Sequence, residues 1–204
     1  MSKATLQRRP LVRQILAGAD DNLLVIAGLG SANWDVTDAG DRPLNMPLWG
    51  SMGAPVPMGL GLALAQPRKR VLVITGDGDM LMSLGSLATV AAQQPDNLAI
   101  VVLDNEKFGE TGNQASHTSP RNNGPTESGA GADLALIAKG CGIADASTVR
   151  EQAEVAQLVK DLRTGKGPVF RLVKVMVEKL EFVMPPQDGA HLKDRCRHAL
   201  LGSA

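Results

Sequence analysis

Short runs of apolar residues, separated by polar and turn-forming residues, recur along the chain. Three of them, Leu23–Ala27 and residues 71–74 and 98–103, are continuously apolar and rich in β-branched side chains. A strand that is covered on both faces shows no polar alternation, so these runs predict central strands of a parallel sheet. A fourth strand is predicted over residues 169–175.

Helical patterns lie between the predicted strands. Residues 54–65 are small and apolar, and residues 80–92 place Leu84, Leu87, Ala88 and Ala91 on one stripe. Further helices are predicted over residues 133–139, 151–162 and 188–201. This alternation predicts an α/β fold: a single doubly wound domain over residues 1–204, with a mostly parallel sheet and helices on both faces.

One segment, residues 106–132, breaks this pattern because it is rich in Gly, Asn, Ser and Thr and almost devoid of apolar side chains. It begins directly after the predicted strand 98–103, at the carboxyl end where open α/β sheets bind ligands. We therefore expect a loop for cofactor or substrate, without regular secondary structure, that orders only when cofactor and a partner chain are both present.

Charge and composition exclude several classes of function. Lys and Arg together number 21 and so do Asp and Glu, which removes the electrostatic case for a nucleic-acid or anionic-membrane binder. No apolar run approaches the length of a membrane-spanning helix. The two cysteines are too far apart in sequence for a zinc motif or a disulfide framework, so a reducing cytoplasm is the expected location.

The sharpest local motif is Gly76-Asp77-Gly78, which follows the strand 71–74 and precedes a helix. Glycines let the backbone turn tightly beside a ligand, and the start of a helix offers N–H groups to an anion such as phosphate. The Asp77 carboxylate could hold a divalent cation. The alternative is an ordinary strand-to-helix turn with an Asp cap.

Asn105 lies 28 positions beyond Asp77, at the end of the next predicted strand. One helix and one returning strand would bring both residues to the same edge of the sheet. Their side-chain oxygens, with a loop carbonyl near Lys107, would supply half of a magnesium site. The alternative is that Asp104 and Asn105 merely begin a turn.

A third motif, Gly50-Ser51-Met52-Gly53, precedes the small-residue helix. With Gly-Asp-Gly and the later Asn, in this order, it resembles the diphosphate-binding domain of thiamine diphosphate enzymes. The resemblance implies the thiamine diphosphate-binding fold and a Mg²⁺ ion held by Asp77, Asn105 and the main-chain carbonyl of Lys107. It also implies cofactor contacts from Gly50, Ser51, Met52, Gly76, Asp77, Gly78, Asp79, Asn105, Lys107, Phe108 and Gly109.

In this family the bulky residue of the first motif lies beneath the bend of the cofactor, which assigns that role to Met52, and Gly50 would present its carbonyl to the aminopyrimidine. The position of Asp79 is often Ser or Ala in the family. A carboxylate beside a diphosphate is repelled unless it caps the helix, points away or meets a cation. Asp79 therefore puts the detail of the phosphate contacts in question, but not the metal pair.

Softer matches point within the family to the small subunits of sulfopyruvate decarboxylase and to the related phosphonopyruvate decarboxylases. They comprise residues 41–45, 48–53, 84–89, 108–114 and 185–191. The resemblance implies a lyase that decarboxylates a small anionic 2-oxoacid with thiamine diphosphate and Mg²⁺. Met52, Gln114 and His117 are the expected catalytic residues, and Gln114 and His117 could contact the substrate carboxylate or protonate an intermediate from the loop.

The family activates its cofactor with a Glu on a separate pyrimidine-binding domain, and this chain holds only one α/β unit. The resemblance thus implies a partner subunit that supplies the Glu, in a hetero-oligomer built on dimers. Three alternatives stay open: a subunit of a carboligase similar to acetolactate synthase, a subunit of a 2-oxoacid oxidoreductase, or a cofactor-binding module without turnover.

Overall fold

Six parallel strands form the central sheet of the computed structural model, which describes residues 4–120 and 131–202. The strands of this sheet are β1 (Leu23–Ala27), β2 (Asn45–Pro47), β3 (Arg70–Gly76), β4 (Leu98–Asp104), β7 (Asp145–Val149) and β8 (Val169–Lys174). Their spatial order is β2-β1-β3-β4-β8-β7. A separate antiparallel hairpin pairs β5 (Lys107–Phe108) with β6 (Gln114–Ala115).

Helices cover both faces of the sheet. They are α1 (Arg8–Leu16), α2 (Ser31–Asp38), α3 (Pro55–Ala65), α4 (Asp77–Leu81), α5 (Gly85–Gln93), α6 (Leu134–Gly140), α7 (Val155–Thr164) and α8 (Gly189–Leu201). One apolar cluster joins α1, α2 and α7 to the sheet, and a second joins α3 through α6 to the opposite face. The predicted doubly wound α/β class is confirmed. None of the described helices combines the length and the apolar character that crossing a membrane would require.

The three continuous apolar runs form strands that lie inside the sheet and are covered on both faces. Every residue of β1 and β4 is buried, and so are the five interior residues of β3. β3 pairs in parallel with both β1 and β4, and Gly76 lies opposite Leu103. The carboxyl ends of β1, β3 and β4 therefore meet at one edge, and the loops that follow them are neighbours.

The prediction of one helix over residues 80–92 was wrong. The structure has a short α4 that starts at Asp77 and a separate α5, divided by a turn at residues 82–84. The loop of the first motif packs into this turn, since a Cβ at Gly53 would lie 3.3 Å from the Met82 carbonyl oxygen. The predicted apolar stripe was also partly wrong, because Ala88 is exposed and Val90 is buried.

The segment 106–132 was predicted to lack regular secondary structure, and this too needs correction. The hairpin of β5 and β6 and a 3₁₀ turn over Gly109–Thr111 occupy its first part. Strands of two residues are too short to produce a recognisable hydrophobic pattern in the sequence. Residues 121–130 of the predicted loop lie outside the described residues. The ordering of this segment by cofactor and partner stays a prediction.

Candidate functional site

A cavity of about 700 Å³ opens at the edge of the sheet where β1, β3 and β4 end. Most of the residues that the sequence singled out line it together. They are Met52, Gly76, Asp77, Gly78, Asp79, Asn105, Lys107, Phe108 and Gly109. The parallel register explains this convergence, since residues that follow neighbouring parallel strands reach the same edge.

Asp77 is the most buried acid that faces this cavity, with only 2% of its surface exposed. Its Oδ2 accepts hydrogen bonds from the hydroxyls of Ser116 and of Thr118, the latter at 3.1 Å. Burial, and then the charge of Asp104, raises the pKa of Asp77 from 3.8 to about 6. A cation beside Asp77 would offset both effects and favour the carboxylate.

Asp104, the last residue of β4, is a second buried acid, 1% exposed. Its Oδ1 accepts a hydrogen bond from Thr118 at 2.8 Å, and its Oδ2 lies 2.6 Å from the Lys174 ammonium. Lys174 also contacts Glu106 at 2.9 Å. Both oxygens of Asp104 are therefore engaged by protein groups, whereas the two hydroxyl contacts of Asp77 fall on one oxygen.

Asn105 and Lys107 stand beside Asp77 in the cavity lining. The Asn105 Oδ1 accepts the backbone N–H of Lys107 at 3.0 Å, so the turn that was considered as an alternative does exist. The turn and a metal site are compatible, because an amide oxygen has two lone pairs. Among the described residues, no three His, Cys, Asp or Glu side chains group for a metal, so a cation here would need amide and carbonyl oxygens.

The Asp79 carboxylate is held by hydrogen bonds from the protein itself. Its carboxylate accepts hydrogen bonds from the Thr75 hydroxyl, at 2.6 Å, and from the backbone N–H of Gly53. A Cβ at Gly28 would lie 2.1 Å from Asp79 Oδ2, so a side chain at that position would displace the Asp79 carboxylate. Burial raises the pKa of Asp79, and these hydrogen bonds oppose that rise. Asp79 thus links the loop of the first motif to the end of β3.

Four predicted site residues lie apart from the cavity lining. Gly50 and Ser51 are exposed on the loop before α3. The Gln114 side chain is exposed and hydrogen-bonds to Thr111, at 2.8 Å to its carbonyl oxygen. His117 is exposed, and its ring stands edge-on to Phe108 with the centroids 6.1 Å apart. The structure does not bring these side chains to Asp77, and their roles stay predictions.

Apart from Arg8 of α1, two segments of the lining were not predicted from the sequence. One is the loop after β1, where Leu29, Gly30 and Ser31 lead into α2. The glycine-rich turn between a buried strand and a helix was a usable signal. The other is the segment of residues 177–182 after β8, which lines the cavity and packs Phe182 against Trp34, with the ring centroids 4.2 Å apart and the ring planes tilted by 43°. Nothing in its local sequence marks it.

Comparison with known proteins decides the family. The profile described as "Thiamine pyrophosphate enzyme, C-terminal TPP binding domain" matches residues 30–173. The chain belongs to this family. Thiamine pyrophosphate is thiamine diphosphate, so the predicted resemblance and the predicted cofactor are confirmed. The matched region contains all three motifs and the cavity loops that follow β3 and β4.

Several curated proteins resemble this thiamine pyrophosphate-binding chain. The sulfopyruvate decarboxylase subunit beta of Methanocaldococcus jannaschii is 35% identical over 137 residues, which cover 67% of each chain. The subunit of that name from Methanococcus maripaludis is 31% identical over 85% of this chain and 84% of its own length. Phosphonopyruvate decarboxylase of Streptomyces viridochromogenes is 36% identical over 69% of this chain, but the match spans only 32% of that protein.

Solved structures show that the thiamine pyrophosphate-binding fold is shared. A thiamin diphosphate-dependent enzyme from Mycobacterium smegmatis superposes with a TM-score of 0.68 at 22% identity, over 86% of this chain and 33% of that one. A 2-oxoglutarate:ferredoxin oxidoreductase from Magnetococcus marinus gives a TM-score of 0.63 at 18% identity, over 96% of this chain and 78% of that one. At these identities, the likeness concerns the fold alone.

Proposed function

We propose that this chain is the diphosphate-binding subunit of a two-chain decarboxylase that uses thiamine diphosphate and Mg²⁺. Its substrate would be a small anionic 2-oxoacid of the sulfopyruvate or phosphonopyruvate kind. The similarity to subunits of that name supports the reaction class. The observation that carries the metal assignment is the grouping of Asp77 and Asn105 at one cavity, with the hydroxyl bonds of Asp77 confined to Oδ2.

Two features of the cavity support a diphosphate at this position. Gly76 faces open space, since a Cβ there would meet no atom within 4 Å. Ser31 at the start of α2 lines the same cavity, and the first N–H groups of a helix suit an anion such as a diphosphate. Asp77, Asn105 and the Lys107 carbonyl would hold the Mg²⁺, and the diphosphate and water would complete its octahedral shell.

The residues of this chain would position the cofactor and exclude water from it. When bound, thiamine diphosphate supplies the electron sink that accepts the electrons released as CO₂ departs. Met52 lines the cavity with 38% of its surface exposed, and would support the bent cofactor from below. Phe108 and the segment of residues 177–182 would shield the reacting centre from solvent.

Cationic side chains in the lining suit an anionic substrate. Lys107 and Lys179 both border the cavity, and Arg8 contributes a nearly buried guanidinium. Because Arg8 is already paired with Asp35, the two lysines are the better candidates to bind the substrate anion. Gln114 and His117, on the neighbouring hairpin, would reach the substrate only after a change in the loop.

Exposed apolar side chains on α3 and in the turn after α4 support the partner subunit. Helix α3 contains no polar residue, yet its Met58 and Leu64 side chains are 38% and 49% exposed. Met82, in the turn that packs against Gly53, is 64% exposed. Large apolar side chains that are this exposed are available to an interface. We infer that a pyrimidine-domain subunit covers this surface and supplies the activating Glu, in a cytoplasmic hetero-oligomer built on dimers.

Co-purification of this chain with the pyrimidine-domain chain of the same genome, followed by a CO₂-release assay, tests the proposal. The assay uses sulfopyruvate, phosphonopyruvate and pyruvate with thiamine diphosphate and Mg²⁺. We expect release from a substrate with a second anionic group, no activity of either chain alone, and loss of activity in Asp77→Ala. The exposed Asp21→Ala is the matched control.

Other outcomes would select the alternatives. Acetolactate-type products from pyruvate would favour the carboligase. The acetolactate synthase isozyme 1 large subunit of Escherichia coli is 26% identical to this chain over 89% of its residues. CO₂ release that requires an electron acceptor would favour the oxidoreductase. Cofactor binding without turnover on any of the three acids would favour a module without catalysis.

A further inference from the structure

Two hydroxyl side chains at the end of the hairpin are buried although their neighbour His117 is exposed. Ser116 and Thr118 are 1% and 3% exposed, and their hydroxyl oxygens lie 2.8 Å apart. They lie just after β6, in a turn in which the Ser119 N–H donates to the Ser116 carbonyl at 3.1 Å, and both hydroxyls reach acids at the carboxyl end of the sheet. Hydroxyls that are buried so completely need polar partners.

Those partners are the two buried acids. Thr118 Oγ1 lies 3.1 Å from Asp77 Oδ2 and 2.8 Å from Asp104 Oδ1. The Ser116 hydroxyl donates to Asp77 Oδ2. Asp104 also has the ammonium of Lys174 at 2.6 Å on its other oxygen. Thr118 is thus the single side chain among the described residues that touches both carboxylates.

A count of protons shows why this position matters. Each hydroxyl has one proton to donate, and Thr118 therefore cannot satisfy both carboxylates at the same time. Asp104 has two other donors, the Lys174 ammonium and the Glu106 N–H at 3.0 Å, so it depends less on the Thr118 proton than Asp77 does, whose other hydroxyl donor is Ser116. Thr118 can therefore direct its proton to Asp77 Oδ2, and a cation at Oδ1 would supply the remaining counter-charge.

We propose that Thr118, assisted by Ser116, is a positioning residue for the cation: it holds the Asp77 carboxylate by Oδ2 and leaves Oδ1 for the metal. This inference rests on the proposed metal at Asp77. Asp104, in contrast, is engaged on both oxygens and serves as the fixed partner against which Thr118 is oriented.

The same contacts couple the cation to the hairpin. The Ser116 N–H donates to the Glu106 carbonyl at 3.0 Å, which closes the base of the loop that carries Lys107 and Phe108. Gly131 packs against this base, since a Cβ there would lie 2.1 Å from the Thr118 carbonyl oxygen. Cation binding, by fixing Thr118, would also hold the hairpin against the cavity.

Titration of the full chain with Mn²⁺, in the presence of thiamine diphosphate and with free ion followed by electron paramagnetic resonance, tests this role. We expect Thr118→Val to weaken Mn²⁺ binding about tenfold or more, the effect of losing one hydrogen bond to a charged group. Thr118→Ser keeps the hydroxyl and should restore binding. Thr164→Val, whose hydroxyl bonds only to the Lys160 carbonyl of its own helix, is the control.

Hydrogen exchange of the amides in residues 107–118 supplies a second readout. Mn²⁺ should slow this exchange in the wild type and much less in Thr118→Val, and Ser116→Ala should show a smaller change of the same kind. Wild-type affinity in Thr118→Val would overturn the inference, as would equal weakening in Thr118→Ser. Absence of Mn²⁺ binding in the wild type would instead overturn the proposed metal site itself.

Discussion

Two buried acidic sites in this molecule are built on opposite principles. Asp35, fully buried on α2, receives two guanidinium groups, one from Arg8 and one from Arg9 at 3.0 Å. At the end of the sheet, Asp77 and Asp104 are both buried, and of these two acids only Asp104 contacts an ammonium, that of Lys174. The first site has an excess of positive charge and the second an excess of negative charge.

The Asp35 carboxylate stabilises the fold, whereas the Asp77 carboxylate is placed to bind a cation. A buried carboxylate is tolerated when counter-charges and hydrogen bonds compensate its desolvation. Asp35 meets that condition within the chain. Asp77 meets that condition only in part, because its hydrogen bonds do not fully compensate burial and the charge of Asp104, and its pKa is therefore raised. An acid that remains undercompensated at a cavity is therefore where a cation should bind.

The largest expected effect on stability comes from breaking the compensated site. Asp35→Ala would leave two guanidinium groups without their buried partner, and we expect the free energy of unfolding to fall by about 3–5 kcal/mol. Urea unfolding measures this, with Asp21→Ala, an exposed acid, as the control. A loss no larger than that of the control would show that the pair does not hold α1 to α2.

Breaking the other site should have the opposite sign in the cofactor-free chain. Asp77→Asn removes a poorly compensated charge but keeps an oxygen that accepts hydrogen bonds from Ser116 and Thr118. We expect the free energy of unfolding at pH 7 to stay equal or to rise, because the cost of burying the charge disappears. The same urea titration checks it. A loss comparable to that of Asp35→Ala would refute the contrast between the two sites.

The pH dependence sharpens the comparison further. Because the pKa of Asp77 rises from 3.8 to about 6 on folding, the folded chain binds more protons there between these values. Its contribution therefore makes the cofactor-free chain more stable as pH falls from 7 to about 5. Mg²⁺ requires the carboxylate, so its affinity should fall over the same range.

Thermal unfolding with and without Mg²⁺, at pH 7 and at about pH 5, would show both trends. In Asp77→Asn the part of the pH dependence that comes from this group should vanish. An Mg²⁺ affinity of the wild type that stays constant across the range would argue against Asp77 as the ligand.

Met52 should give the smallest effect on stability. Its side chain is 38% exposed, so Met52→Ala leaves little cavity, and we expect a loss below about 1 kcal/mol. Affinity for the cofactor should largely persist because the diphosphate end is untouched, while turnover should fall about tenfold as the cofactor loses its support. Calorimetry and the CO₂ assay on the assembled complex separate these quantities. A large stability cost with unchanged turnover would make Met52 an ordinary core residue.

The central strands were predictable, and the reason is physical. Residues of β3 and β4 are buried on both faces, which leaves a continuous apolar run in the sequence. β7 has the sequence Asp-Ala-Ser-Thr-Val and lies at the edge of the sheet, so it carries no such signal. Helix α1 was not predicted, because its polar residues and Pro10 obscure the apolar face in the sequence.

The candidate site was predictable only where the chemistry lies within short motifs. Asp77 and Asn105 follow buried strands, and parallel pairing brings such positions together. Ser116 and Thr118 reach Asp77 through the fold of the hairpin, which depends on contacts 39 and 41 residues apart in sequence. Asp79 was recognised as unusual, but its partners Thr75 and Gly53 could be assigned only from the structure.

The central claim is that Asp77 binds the cation through which this chain holds thiamine diphosphate. Calorimetric titration of the assembled complex with thiamine diphosphate, with and without Mg²⁺, tests it in the wild type and in Asp77→Ala. We predict tight binding only for the wild type with Mg²⁺, a loss of at least about tenfold in Asp77→Ala, and a milder loss in Asn105→Ala, which removes a neutral ligand. Equal affinity of wild type and Asp77→Ala, each in the presence of Mg²⁺, would contradict the claim.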